Sequence, residues 1–393
     1  MTANDELFVD VHHYARRKWN QNVCGDAFAS RRFDNEGRLI AVLSDGLGSG
    51  VKANILACMT AQMALRFVAA GTDLLRSCEV MMESLPVCQV RKISYATFSI
   101  VDCDMEGLTR IVEEGNPEFI VLRGELPDEV PARTMTSRMF PERHMRIAET
   151  TMGPGDRLVI CSDGVTQSGM GSMAYPLGWR REGLRDFVVG CVREDSDVSS
   201  RDLSRAVVKE AMRLEPNFEP QDDTSCLVMY FRHPRRLLIL TGPPYDRDRD
   251  GECAALLDVF PGRKAICGGT TANLVAREWG GTVEMEQPVG GSDLPPCSRL
   301  FGVDLVTEGI LTLTRVAKRL EDGELDDKDD AAGRLVDLFL DSDAIEFLVG
   351  TRINEAHQDP MLPIDLEIRR NVVKRIAGAL REKYLKKTSI RFI

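Results

Sequence analysis

The chain has 393 residues, 43% of them apolar and 28% charged, and a formal net charge of −11. That length accommodates about two or three domains with substantial cores, and the acidic balance argues against a general nucleic-acid binder or a basic membrane-surface protein. No apolar run approaches the roughly 18 residues that span a bilayer, and the polar start Thr2-Ala3-Asn4-Asp5-Glu6 has no signal-peptide pattern, so a cytoplasmic protein is expected. The 11 cysteines are odd in number, sit mostly in apolar runs and form no Cys-x-x-Cys pair. This composition speaks for buried reduced thiols, not for a zinc ribbon or a thioredoxin-type motif.

In chain order, residues 7–18 alternate well enough for a strand, on which the adjacent His12 and His13 face opposite sides. The basic run Arg16-Arg17-Lys18 follows. Val23-Cys24-Gly25-Asp26 leads into a second strand, closed by the turn Asp34-Asn35-Glu36-Gly37. The apolar run Leu39–Leu43 then reads as a buried strand that breaks at Asp45-Gly46. A helical pattern opens at Val51, and a further helix is expected over 72–82, ended by Pro86. Strands are expected around 93–101, 108–112 and 119–122, with Glu114-Gly115-Asn116-Pro117 as a turn, and 125–143 reads as loop. Asp156 to Gly164 repeats the earlier logic of an apolar strand ending in Asp-Gly, and the glycine-rich stretch 168–179 reads as a mobile cover, with Gly169, Gly171 and Gly178 as hinges and Met170, Met173 and Trp179 as docking residues. Helices over 184–192 and 199–214, then Gln221-Asp222-Asp223-Thr224-Ser225 and a strand over 226–231, complete the first half.

Carboxylates thus stand at four separated strand ends or turns: Asp26, Asp45, Asp163 and Asp222, with Asp223 beside the last. An acid at the end of a buried strand is costly unless paired or bound to metal. Glycine after it lets the backbone approach closely, so that its carbonyl can also face an ion. Oxygen-only donors suit Mg²⁺ or Mn²⁺, and the absence of His and Cys beside these acids argues against zinc. Such a site usually holds two ions, which activate a water near neutral pH and clamp phosphoryl oxygens.

These motifs, in this order and spacing, resemble the metal-dependent serine/threonine phosphatases of the protein phosphatase 2C class. They are Val23-Cys24-Gly25-Asp26, Ser44-Asp45-Gly46-x-Gly-x-Gly, Glu114-Gly115-Asn116-Pro117 ending in Val121-Leu122-Arg123, Gly155-Asp156-Arg157-Leu158 to Ser162-Asp163-Gly164-Val165-Thr166, and Asp222-Asp223. The nearest branch is the bacterial type named after the stage II E sporulation phosphatase, and the resemblance spans roughly residues 8–231. It implies an α+β fold of two packed antiparallel sheets flanked by helices. It further implies hydrolysis of phosphoserine or phosphothreonine on a protein without a phosphoenzyme, in bacterial signalling, with two Mn²⁺ or Mg²⁺. Asp45 would bridge both ions, Gly46 would give a carbonyl, Asp163 and Asp222 would complete the ligand set, and Asp26 would act directly or through water. The implied partner is a phosphorylated protein, in some relatives a small phosphoserine regulator, with no nucleic acid and no membrane. The phosphate-holding arginine of eukaryotic members has no aligned counterpart; Arg16 and Arg17 are the candidates. Ser225 stands one place beyond the usual motif threonine, with Thr224 adjacent.

Other readings fit less well. Asp102-Cys103-Asp104 has Glu106 where a haloacid dehalogenase-type phosphatase needs Thr, and the glycines of 46–50 are misplaced for a dinucleotide fingerprint. A catalytically silent phosphatase fold that serves as a binding or scaffold protein is the rival of another class. Its usual sign, lost metal acids, is absent.

The texture changes at Arg232-His233-Pro234-Arg235-Arg236, where a domain boundary is expected. Residues 235–393 read as a smaller α/β domain of regulatory or partner-binding kind. A strand at 237–240 and the Thr241-Gly242-Pro243-Pro244 turn are followed by a helix, a strand at 265–267 and Gly268-Gly269-Thr270-Thr271 before a helix to Trp279. That unit suits an anion, or else Thr270 or Thr271 simply caps the helix. Cys253, Cys267 and Cys297 fit no standard cluster spacing. Helical segments over 331–350 and 364–385 close the chain.

Overall fold

The computed structural model describes residues 7–71, 74–84, 96–136, 143–288, 293–323, 325, 329–352 and 362–393. The chain divides into two compact units, Met1–His233 and Pro234–Ile393.

In the first unit the strands are β1 (Phe8–Arg16), β2 (Ala27–Phe33), β3 (Arg38–Gly46), β4 (Ala96–Asp104), β5 (Leu108–Glu114), β6 (Ile120–Arg123), β7 (Leu126–Asp128), β8 (Ala132–Thr136), β9 (His144–Thr151), β10 (Arg157–Cys161) and β11 (Thr224–Arg232). The helices are α1 (Gly50–Ala69), α2 (Leu74–Ser84), α3 (Asp163–Thr166), α4 (Arg180–Glu194) and α5 (Ser200–Leu214). Two antiparallel sheets form, one in the order β1-β11-β10-β6-β7 and one in the order β2-β3-β4-β5-β9-β8.

Alternation along the strands decides what each face meets. On β3, Ile40 and Val42 pack with Ala57, Ala61 and Ala64 of α1 and with Met81 of α2. On β10 and β11, Val159, Cys161, Cys226 and Val228 pack with Val188 of α4 and Val207 of α5. The intervening residues Leu39, Ala41, Leu43, Leu158, Ile160, Leu227 and Met229 are also buried, so they fill the space between the sheets. Contacts cross that space directly: the His13 ring of β1 stacks on Phe28 of β2 at 4.9 Å, and Arg32 lies over the Phe8 ring at 4.2 Å. His12, on the other side of β1, is hydrogen-bonded through Nδ1 to the Ser204 hydroxyl of α5 at 2.8 Å, so the two histidines do face opposite ways. The helix expected over 72–82 is α2, of which residues 72 and 73 lie outside the described residues.

Two corrections follow. The stretch read as loop over 125–143 carries β7 and β8, short strands with mostly exposed residues at the edges of the two sheets; an edge strand with no buried face leaves no apolar alternation to read. In the second unit, the helix expected over 331–350 ends at Leu340, and Ala344–Val349 is a strand.

That unit contains β12 (Arg236–Thr241), α6 (Asp250–Asp258), β13 (Arg263–Cys267), α7 (Gly269–Trp279), β14 (Glu284–Met285), β15 (Ser298–Leu300), β16 (Val303–Thr307), α8 (Ile310–Asp322), α9 (Ala331–Leu340), β17 (Ala344–Val349), α10 (Leu362–Tyr384) and β18 (Lys387–Phe392). Its sheet runs β14-β15-β16-β13-β12-β17-β18, and β16, β13, β12, β17 and β18 are mutually parallel. Leu237 and Ile239 of β12 face α8, α9 and α10, while Leu238 and Leu240 face α6 and α7, which makes a sheet covered on both sides. Cys253 packs on the α6–α7 side, and Cys267 and Cys297 on the other, so these three thiols do not share a cluster.

The β17 correction is testable. Phe347 is 1% exposed and its ring meets Phe339 at 5.7 Å. Phe347→Ala is expected to destabilise the protein by about 3–5 kcal/mol, the cost of a large buried ring plus its cavity, seen as a lower urea midpoint; an unchanged midpoint would contradict a buried β17.

Candidate metal-dependent active site

The carboxylates are brought together by strand register. Asp45 is the penultimate residue of β3 and shares the side of Leu43 and Ala41, which faces the opposite sheet. Ala27 pairs with Ser44, so Asp26, one residue earlier, lies beside Asp45. In the other sheet, Cys161 pairs with Cys226. Beyond that pair the Ser162 amide donates to the Ser225 carbonyl at 3.0 Å and the Ser225 amide to the Ser162 hydroxyl at 2.9 Å. This brace holds Asp163, the first residue of α3, next to Asp222 and Asp223. Acids from both sheets therefore meet at one end of the sandwich.

The electrostatics record that meeting. Burial, then the charges of Asp26, Asp163 and Asp222, pushes the Asp45 carboxyl far above the usual carboxylate range. Burial also raises Asp26, which feels the Asp223 charge, and raises Asp222, partly offset by the Asp223 amide and the Lys18 charge. Both Asp26 oxygens and Asp223 Oδ2 are buried without a hydrogen-bond partner. The Ser162 and Ser225 hydroxyls are near enough to Asp26 to moderate its shift, but neither makes a well-formed hydrogen bond to it. Orphaned, buried, oxygen-only donors of one sign are what a hard divalent cation satisfies, so the donor chemistry fits the ions that the motifs imply. Among the described residues, no three Asp, Glu, His or Cys side chains converge closely enough to ligate an ion as they stand.

Close backbone approach explains two glycines. A Cβ on Gly46 would sit 2.2 Å from the Ala53 carbonyl oxygen, so only glycine lets β3 end against α1. A Cβ on Gly25 would sit 2.6 Å from Asp223 Oδ2, and any side chain there would displace that carboxylate.

Three site features exceed the sequence reading. Asp223 is 2% exposed, accepts from the Lys18 amide at 3.0 Å and is as central as Asp222; the Asp-Asp tandem was its only signal. Lys18 is the basic residue whose charge reaches Asp222, because Arg16 pairs with Thr224 and carries the chain past the acids. Of the two arginines considered for phosphate, Arg17 donates to the Asn22 carbonyl at 3.1 Å and Arg16 lies over the Tyr14 ring at 5.3 Å. Third, Asn116 is more than a turn residue. It is hydrogen-bonded to the Thr97 hydroxyl and donates to Ser99 Oγ at 3.0 Å, and Thr97 faces Asp45 across β3–β4. The Arg123–Asp156 pair of the same motif set, 2.7 Å apart, joins β6 to the start of β10, the end away from the acids.

The stretch 168–179 is pinned at both ends. The Trp179 amide donates to the Ser168 carbonyl at 3.0 Å, and the Trp179 ring packs in the α4–α5 core against Phe187 at 5.6 Å. Met170, Met173 and Leu177 are exposed. Trp179 is thus a fixed anchor, and the two methionines do not dock.

An α+β sandwich with acids from both sheets at one end is the architecture of protein phosphatases of the 2C class. The model of the family "Stage II sporulation protein E (SpoIIE)" matches residues 35–232, half of the chain, and the chain belongs to that family of protein phosphatases. No curated protein matches the chain. Among solved structures, the phosphatase domain of SpoIIE from Bacillus subtilis with a fragment of its regulatory domain is similar at 18% identity and a TM-score of 0.47. That match covers 58% of this chain and 63% of that one, so the chain spans under two thirds of its length. The RsbU and RsbW domains of Rv1364c from Mycobacterium tuberculosis match at 16% identity and a TM-score of 0.48, over 65% of this chain and 68% of that one. RsbX in complex with magnesium matches at 17% and 0.39, over 58% and 96%.

Crowded carboxylates make a stability prediction. With divalent cations chelated at pH 7, Asp45→Asn is expected to raise stability by on the order of 1–2 kcal/mol, roughly 2–8 °C in Tm. The sign follows from a folded-state pKa lying above the unfolded one, which erodes stability as pH rises past the unfolded value. The same variant is expected to lose the Mn²⁺-induced rise in Tm of the parent protein; a parent with no such rise would remove the metal assignment.

Proposed function

We propose that this chain hydrolyses phosphoserine or phosphothreonine on a protein substrate at a two-metal aspartate site, with Mn²⁺ or Mg²⁺ held by Asp26, Asp45, Asp163, Asp222 and the Gly46 carbonyl. The observation that carries the reading is the meeting of five carboxylates from two sheets, three of their oxygens buried and unpartnered. A phosphate dianion is repelled by such a cluster unless cations stand between them. When bound, those ions would supply an activated water and neutralise the phosphoryl oxygens.

The chain's own residues do the rest. β3 and the Ser162–Ser225 brace fix the acids on rigid strands, so little reorganisation accompanies binding. Asp223, whose charge reaches Asp26, is a further acceptor and orients the Lys18 segment through its amide. The Lys18 charge, which reaches Asp222, draws the substrate dianion toward the acids. Hydrolysis breaks the bond between phosphorus and the seryl or threonyl oxygen; the water oxygen stays on phosphate and a proton goes to the leaving oxygen. In keeping with the family's signalling role, we take the substrate to be a phosphorylated regulatory protein, and residues 235–393 to be an accessory domain, because the acids of this chemistry lie within residues 26–223.

The test is turnover of p-nitrophenyl phosphate and of phosphoseryl, phosphothreonyl and phosphotyrosyl peptides with Mn²⁺. Asp45→Asn, Asp163→Asn and Asp222→Asn are each expected to lower kcat by about 100-fold or more while the protein stays folded, and the phosphotyrosyl peptide to be the poorest of the three. Near-parental Mn²⁺-dependent turnover in Asp45→Asn would sink the assignment.

A further inference from the structure

The parallel strands of the second unit lie in the order β16-β13-β12-β17-β18. The chain works outward from β12 through β13 to β16, then returns across the sheet to β17 on the far side of β12. β12 and β17 therefore flank the point where strand order reverses, and open α/β sheets take ligands outside the carboxyl ends of their strands at that point. A cavity of about 170 Å³ lies there, lined among others by Gly268, Gly269, Thr270, Glu308, Arg352 and Arg369. Gly268 follows β13, Glu308 follows β16 and Arg352 follows β17.

We propose that this cavity binds the phosphoryl group of a small phosphorylated molecule. Two guanidinium groups and a helix N-terminus line it. The first turn of α7 lines it, and the N-cap of that helix, Gly268, has no side chain to bond its first amides. The expected threonine cap is not formed, because Thr270 and Thr271 lie inside the helix. The first amides of a helix have no partner within it, and they carry the positive end of its dipole. Arg352 is 17% exposed; its Nη2 donates to Asp250 at 3.1 Å, while its Nη1 is buried without a hydrogen-bond partner. Held by Asp250, Arg352 brings a largely buried guanidinium to the cavity wall. Arg369 reaches in from α10, with Nη1 2.6 Å from where a Cβ on Gly242 would stand. One acid, Glu308, shares the wall; its Oε2 accepts from the Leu311 and Thr312 amides at 3.1 and 3.4 Å, which offset part of its charge.

At about 170 Å³ the cavity has room for a phosphoryl group, and the remainder of a larger ligand would extend out of it. The turn after β12, Gly242-Pro243-Pro244, lacks the dinucleotide fingerprint.

The experiment is thermal unfolding of the full chain with divalent cations chelated, which separates it from the phosphatase reading. The probes are inorganic phosphate and glycerol 3-phosphate at tens of millimolar, against sodium chloride and acetate of equal ionic strength. Either phosphate is expected to raise Tm by about 3–6 °C at ten times its Kd, and acetate or chloride to leave it unchanged. Gly269→Glu is expected to abolish the rise. A Cβ at Gly269 meets no atom within 4 Å, and a carboxylate in the first turn favours the helix, so the variant blocks the site without unfolding it. Arg352→Gln is expected to weaken binding about tenfold or more. Absence of any rise with both phosphates, a rise that acetate reproduces, or an equal rise in folded Gly269→Glu would overturn the proposal.

Discussion

The register of β3 is the constraint on which the phosphatase unit depends. Its odd-numbered residues Leu39, Ala41 and Leu43 fill the gap between the sheets, and its even-numbered Ile40 and Val42 meet α1. Four of these are large apolar side chains at 0% exposure, each stabilising by about 1.5–3 kcal/mol. Their sum exceeds the several kcal/mol that placing an uncompensated carboxylate at the strand end costs. A slip of one residue would exchange the two apolar sets, bringing Ala41 to the helix face and Ile40 and Val42 between the sheets, and would send Asp45 to the helix side. The core thus fixes where the acid stands, and the acid's unfavourable position is tolerated because the core so strongly determines it.

The same balance explains why the site uses both sheets. Within one sheet, Asp26 and Asp45 repel across a strand pair; the second sheet adds Asp163, Asp222 and Asp223 to the same end, each behind a buried strand or brace. Nothing in local propensity favours that crowding. It is sustained by the burial of β3, β10 and β11, and would be relieved by cations of the charge and oxygen preference that the donor set matches.

What could be read from the sequence follows from range. Asp45 and Asp163 were legible because each ends an apolar run before glycine, a local pattern. The importance of Asp223 and Lys18 was not, because it arises from the pairing of Arg16 with Thr224, residues 208 positions apart in the chain. Asn116 read as a turn because its bonds to Thr97 and Ser99 cross to another strand. β17 was mistaken for the end of a helix: Asp341-Ser342-Asp343 is a short break, and an apolar run of six residues has no periodicity long enough to separate strand from helix. The α/β texture after residue 235 was visible, yet the strand order was not, since β12 pairs with β17 more than a hundred residues later.

That order matters more than the texture. A run of alternating strands and helices could be wound in one direction only, with no reversal and no crevice at the sheet's centre. Placing β17 beside β12 creates the crevice, and Asp250 then does for Arg352 what the Ser162–Ser225 brace does for Asp163: it is 6% exposed and holds the guanidinium by one nitrogen. The two units arrive at opposite solutions for a phosphoryl anion. One gathers carboxylates that need cations between themselves and the ligand. The other offers backbone amides and guanidinium groups that meet it directly, which requires no metal and so separates the two sites by the single variable of chelation.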